Sequence, residues 1–172
     1  MKIALVSSIG GHLTDLFSHW GDAVHWIMGE DKPVAVQSVG GRYALDYFQC
    51  PETITSAWEY PGGFQVVYNG TLVGSLEGGG IVLRGSKALM KLNRDGFAVY
   101  PEGIVQAEKT GYPTAEIAMQ SKQDGTIDHM RNFLDCVRSR KTPNAPIPSS
   151  VASARVAHLG NQAYRQRTRI NA

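Results

Sequence analysis

The chain has 172 residues, 42% hydrophobic and 19% charged, with a formal net charge of +2, the profile of an ordinary soluble globular protein. Its length suits one well-filled core or a small domain with an appendage, and no stretch approaches the ~20 apolar residues of a membrane span. Its basic residues gather at Arg138, Arg140 and Lys141 and at Arg165, Arg167 and Arg169, where helices should end; there they complement helix dipoles and form no aromatic-interleaved stripe, which argues against nucleic acid as a partner.

The chain opens with Lys2 to Val6, which reads as a short buried strand running into Ser7-Ser8-Ile9-Gly10-Gly11. This apolar run is far shorter than the roughly 7 to 15 residue core of a secretory signal, so the expected location is cytoplasmic. From His12 to Met28 the residues Leu13, Leu16, Phe17, Trp20, Ala23, Val24 and Ile27 recur at helical spacing, which predicts one amphipathic helix that Gly29 ends.

After Pro33 the texture changes to short β-rich runs: "VAVQSVGGRYA", "ETITSAWEY", "FQVVYNGT", "GGIVLRG", "KALMKLN" and "FAVYPEG". Pro61-Gly62-Gly63 joins two of them and Asp95-Gly96 two more, so neighbouring strands should pair antiparallel as hairpins. Residues 105 to 124 have no clear period and read as a long loop. Ile127, Met130, Leu134 and Val137 mark a second helix with Thr126 as its cap. The three prolines of "KTPNAPIPSS" exclude a continuous helix, and Ser149-Ser150 should cap a last one carrying Val151, Ala154, His158, Leu159 and Ala163. The expected class is α+β: an open, mostly antiparallel β-sheet with helices packed on one face.

The chemistry concentrates on the first helix. With His12 at zero on a helical wheel, Asp15, His19 and Asp22 fall within about 80 degrees of it, because spacings of 3, 4 and 3 follow one face. Asp15 and His19 at i and i+4 are within hydrogen-bonding reach, and a carboxylate so placed orients an imidazole and raises its basicity. The stripe starts beside Gly10-Gly11, where backbone can approach a ligand closely. His12-x-x-Asp15-x-x-x-His19 is not a recognised zinc spacing and no cysteine supports it, so no metal site is assigned. Cys50 and Cys136 are far apart and read as free thiols. His25 falls toward the opposite flank and reads as surface or partly buried, while His129 and His158 read as structural.

The string "GGHLTDLFSHWGDAVHWIMG" resembles the head of the C-terminal domain of the Gfo/Idh/MocA oxidoreductases, whose members carry Gly-Gly, then Asp-x-x-x-His, then a second Asp three residues on. "KPVAVQSVGGRYA", "EGGGIVLRGSKALMKLNRDGFAVYPEG", "HMRNFLDCVRSRKTPNAPI" and "VAHLGNQAYRQR" look like later pieces of that domain, so the resemblance spans roughly residues 10 to 169. It implies a predominantly antiparallel open sheet and chemistry on a sugar or polyol carbon, with His19 taking the hydroxyl proton, Asp15 supporting it, and His12 and Asp22 contacting substrate. It also implies NAD or NADP in the parent family and a homo-oligomer formed through the open face of the sheet. Neither the G-x-G-x-x-G nor the Glu-Lys-Pro motif of that family's nucleotide-binding domain occurs here, so no cofactor site is expected in this chain.

Residues 10 to 172 are therefore read as such a C-terminal domain, a substrate-binding and oligomerisation half inactive alone, with residues 1 to 9 a foreign or truncated start. A non-enzymatic carbohydrate-binding or assembly domain is the alternative. A further one comes from "MKIALVSSIGGHLTDL", which looks like the opening of membrane-recruiting subunits of two-part N-acetylglucosaminyltransferases; it predicts a second strand-helix repeat after Gly11.

Overall fold

The computed structural model describes residues 11–74, 78–102, 115–122 and 124–172; the opening strand assigned to residues 2–6 lies outside them. These residues form two compact units, the first built from chain segments up to residue 76 and from 145 onward, the second from 77 to 144.

In the first unit a π-helical turn, Leu13–Phe17, leads into α1, Ser18–Met28. Strands β1, Ala35–Gly41, β2, Thr53–Tyr60, and β3, Phe64–Thr71, follow as a meander. The chain returns for α3, Ile147–Gln166, and the two-residue β8, Ile170–Asn171. The sheet order is β3-β2-β1-β8, and every pairing is antiparallel. A meander after Gly11 is the opposite of the second strand-helix repeat that a glycosyltransferase subunit requires.

Alternation along β2 sends Ile54, Ser56, Trp58 and Tyr60 to one face, and all four are buried. Val36 pairs with Trp58 on that face, and the π-helical turn and α3 close over it, Leu13, Phe17, Val156 and Ala157 completing the core. Trp58 is its centre. Its indole stacks on Phe17 with ring centroids 4.2 Å apart, and its Nε1–H donates to the Val156 carbonyl at 3.1 Å. Burying each of these two rings contributes about 1.5–3 kcal/mol, more than the ~1 kcal/mol of the hydrogen bond, so packing dominates. Gly160 lets α3 approach closely enough for this: a Cβ there would stand 2.8 Å from Leu13 Cδ1 and 2.9 Å from Trp58 Cζ2. The outer face of the sheet is mostly Thr, Gln and Asn, with Val39 and Val67 exposed among them.

The second unit holds β4, Ile81–Arg84, β5, Ala88–Asn93, β6, Gly96–Pro101, β7, Ile117–Gln120, and α2, Thr126–Ser139. Its sheet runs β4-β5-β6-β7, again antiparallel throughout. The β5–β6 turn is fixed by Asn93, whose Oδ1 accepts from the amides of Asp95 at 2.9 Å and Gly96 at 3.1 Å.

The α+β class and the antiparallel pairing are as the sequence predicts. Four local expectations are corrected. Part of the stretch read as a loop, 105 to 124, is strand β7, four exposed residues whose order comes from pairing with β6 and which carry no period of their own. Ser149 and Ser150 do not cap α3, which starts two residues earlier with Pro148 in its first turn, where a missing N–H costs nothing; both hydroxyls bond back to the Pro146 carbonyl instead. Thr126 does not cap α2: it is the first helical residue, the N-cap is Gly125 without a side-chain cap, and Asp124 just before it accepts at Oδ1 from the Thr126 amide and hydroxyl at 2.9 and 2.7 Å, which holds its carboxyl below the usual range. The first helix is not uniform, and that change reaches the site.

Candidate functional site

Gly11 begins the helical segment with φ at 72°, a conformation that disfavours a side chain, and a Cβ there would meet Cys50. Its close approach is thus to the side chain of Cys50, within the protein itself, and serves the fold. Between Leu13 and Phe17 the hydrogen bonding widens to i→i+5, the Ser18 amide donating to the Leu13 carbonyl. Such a turn holds more residues than an α-helical one, so the groups before Ser18 are rotated away from the stripe that a uniform wheel predicts. The four sequence-derived residues accordingly fall into two places.

His12 is buried against β3. Its Nδ1 meets Tyr68 Oη at 2.6 Å, and the backbone at Gly70, which has no side chain, receives the ring. Burial holds the imidazole below the ordinary histidine value, with the Thr71 backbone and the Asp15 charge pulling weakly the other way. Burial first, and the Asp15 charge second, push the Tyr68 hydroxyl up to about 12. Asp15 is itself exposed, acts electrostatically on His12 and Tyr68, and makes no hydrogen bond to His19.

His19 and Asp22 lie in a groove between α1 and α3 of about 410 Å³, lined by Thr14, Ser18, His19, Asp22, Ser150, Ser153, Ala154 and His158. Ser153, itself buried, donates to Asp22 Oδ1 at 2.7 Å and joins the two helices. Sequence reasoning missed Ser153 and treated His158 as structural; the structure puts His158 in the same groove as His19. His25, expected at or near the surface, is buried, its Nε2 2.8 Å from Tyr60 Oη, and burial holds it below the ordinary histidine value.

Among the described residues no cluster of three or more His, Cys, Asp or Glu could hold a metal ion. Of the glycine-rich stretches, Gly78 to Gly80 run straight into β4 and not into a helix N-terminus. No described helix is long and apolar enough to cross a membrane.

No protein-family model and no curated protein matches the chain. Solved structures do. The aldose-aldose oxidoreductase from Caulobacter crescentus, complexed with glycerol, matches with a TM-score of 0.73 at 18% identity over 95% of this chain and 48% of its own. The UDP-N-acetylglucosamine 3-dehydrogenase from Acidithiobacillus ferrooxidans gives 0.73 at 15% identity over 90% and 47%. An oxidoreductase from Agrobacterium radiobacter, in complex with NAD+, L-tartaric acid and magnesium, gives 0.69 at 11% over 93% and 48%. The chain spans about half the length of these proteins, and the fold that the Gfo/Idh/MocA resemblance implied is the fold it has.

Proposed function

We propose that this chain is the substrate-binding and oligomerising half of an NAD(P)-dependent sugar or polyol oxidoreductase, and that the dinucleotide is held by the half of such enzymes that this chain does not span. The observation that carries the reading is His19: an exposed imidazole with no hydrogen-bond partner among the described residues, in a polar groove, on a chain that shares its fold with half of several oxidoreductases. With no partner on either ring nitrogen among the described residues, the imidazole can accept a proton from a hydroxyl bound beside it. His19 accepts the proton of the reacting hydroxyl, Asp15 one turn earlier supports the resulting charge, and the free oxygen of Asp22 accepts from a neighbouring hydroxyl. His12 acts at one remove, its bond to Tyr68 holding the turn that carries Asp15. A second copy of the chain covers the outer face of the first unit's sheet around Val39 and Val67.

Two titrations test this. NADH and NADPH should give no saturable fluorescence change with the isolated chain, and micromolar binding of either overturns the half-enzyme reading. Uncharged sugars and polyols should shift the His19 ring resonances in NMR spectra along a saturable curve; if none does so, sugar binding at this groove is wrong.

A further inference from the structure

Along α3, Ser150, Ala154 and His158 follow one another at i, i+4 and i+8, so they lie on one stripe of the helix, the stripe that borders the groove opposite His19 and Asp22. The small Ala154 at its centre leaves room above the floor, where Ser153 and Asp22 tie the helices together. Above that tie, the hydrogen-bonding capacity of the walls is lopsided. The Ser18 hydroxyl spends its proton on the Thr14 and Asp15 carbonyls at 3.1 and 3.2 Å, and the Ser150 hydroxyl on the Pro146 carbonyl at 3.4 Å. Their oxygens remain as acceptors, as does the second oxygen of Asp22. No lysine or arginine is among the lining residues. Like His19, His158 is exposed and has no hydrogen-bond partner among the described residues.

An acceptor-rich groove without a cation complements a ligand that presents many hydroxyl donors and no negative charge. Each neutral imidazole adds one donor and one acceptor, which is the complement of a single hydroxyl group. Resting on the reading of the groove as a sugar or polyol site, we infer that His158 is a second ligand-binding imidazole. It holds a hydroxyl of an uncharged sugar or polyol remote from the one that meets His19, and the groove selects such ligands over their phosphorylated forms.

The chain has five histidines, at positions 12, 19, 25, 129 and 158, so histidine-selective labelling resolves every candidate in one spectrum. His129 is exposed on α2 of the other unit and reports non-specific effects. D-glucose, D-sorbitol and myo-inositol are titrated at pH 8, each against the phosphorylated comparison glucose 6-phosphate. The expected result is that His158 and His19 move on one saturation curve while His129 stays, and that glucose 6-phosphate binds more weakly than glucose. His158→Ala should weaken binding roughly 2- to 13-fold, the equivalent of one net hydrogen bond of about 0.5–1.5 kcal/mol, with His158→Gln recovering part of it. If His19 responds but His158 does not, and His158→Ala binds as wild type, the inference fails while the sugar-site reading stands. If neither responds to any of the three, both fail. Glucose 6-phosphate binding as tightly as glucose, or tighter, overturns the selectivity.

Discussion

Lowering the pH should destabilise the first unit well before any carboxylate is protonated. His12 and His25 anchor opposite ends of the first helical segment to Tyr68 and Tyr60, and burial holds both imidazoles below the ordinary value of 6.5. A protonated ring has two N–H donors; the tyrosine oxygen can accept one, whereas the other ring nitrogen, Nε2 of His12 or Nδ1 of His25, is buried without a hydrogen-bond partner of proper geometry. Below pH 6.5 the unfolded chain therefore binds more protons than the folded one. The stability that the neutral pairs contribute is fully present above 6.5 and is lost as the pH falls through 6.5 toward the lower folded values. Each group gives a slope of at most about 1.4 kcal/mol per pH unit, and the two together at most about 2.7. Against a typical total of about 5–15 kcal/mol that is large, and the window lies above the carboxylate range near pH 4. All three tryptophans, at positions 20, 26 and 58, belong to this unit, so urea unfolding followed by tryptophan fluorescence at pH 7.5, 6.5 and 5.5 reports on it alone. The urea midpoint should fall with pH, and His25→Gln should flatten the dependence by about half. A midpoint that is constant or rises between pH 7.5 and 5.5 would refute the reasoning.

Gly160→Ala sets a helix-propensity gain of about 1 kcal/mol against crowding into Leu13 and Trp58 that costs about 1–3 kcal/mol. A net loss of about 1 kcal/mol is expected in urea unfolding, since Trp58 is fixed by its stack and its hydrogen bond; a more stable variant would show that α3 does not approach this closely. Ser153→Ala removes the donor that ties α3 to Asp22, a charge-assisted bond worth about 1.5–3 kcal/mol when buried and about 1 here, where Asp22 is exposed. Amide exchange at the first turns of α3 should quicken by roughly fivefold, and unchanged exchange would mean that apolar packing alone holds the helices. Val67→Glu should turn a light-scattering dimer into monomer; a wild-type monomer at tens of micromolar removes the second copy from the sheet face.

What could be read from the sequence was what the chain encodes locally. Ile54, Ser56, Trp58 and Tyr60 alternate so regularly that β2 and its buried face follow directly, and Gly29 takes the left-handed conformation, at φ 67°, that ends α1. The π-helical turn left no such mark. Leu13 and Phe17, four apart, fit an α-helix as well as a widened turn, and the extra residue shows only in where Asp15 and His12 end up. Strands β7 and β8 owe their existence to partners, β6 and β1, far along the chain. The groove was hidden for the same reason: Asp22 and Ser153 are 131 residues apart, and nothing near His158 hints that α1 lies alongside.

The discontinuity of the first unit bears on how the chain comes off the ribosome. Trp58 waits for the carbonyl of Val156, 98 residues later, with the whole second unit synthesised in between. At translation speeds of about 5–20 residues per second, the interval is about 5–20 s, far longer than a meander needs to form its hairpins. For that time the sheet of β1, β2 and β3 has the π-helical turn but no α3 over it, and the side of Trp58 that Val156 and Gly160 come to cover faces water. The nascent chain thus presents an apolar surface for seconds at a stretch, which makes its early life a matter for chaperones and its yield sensitive to elongation rate between codons 60 and 156.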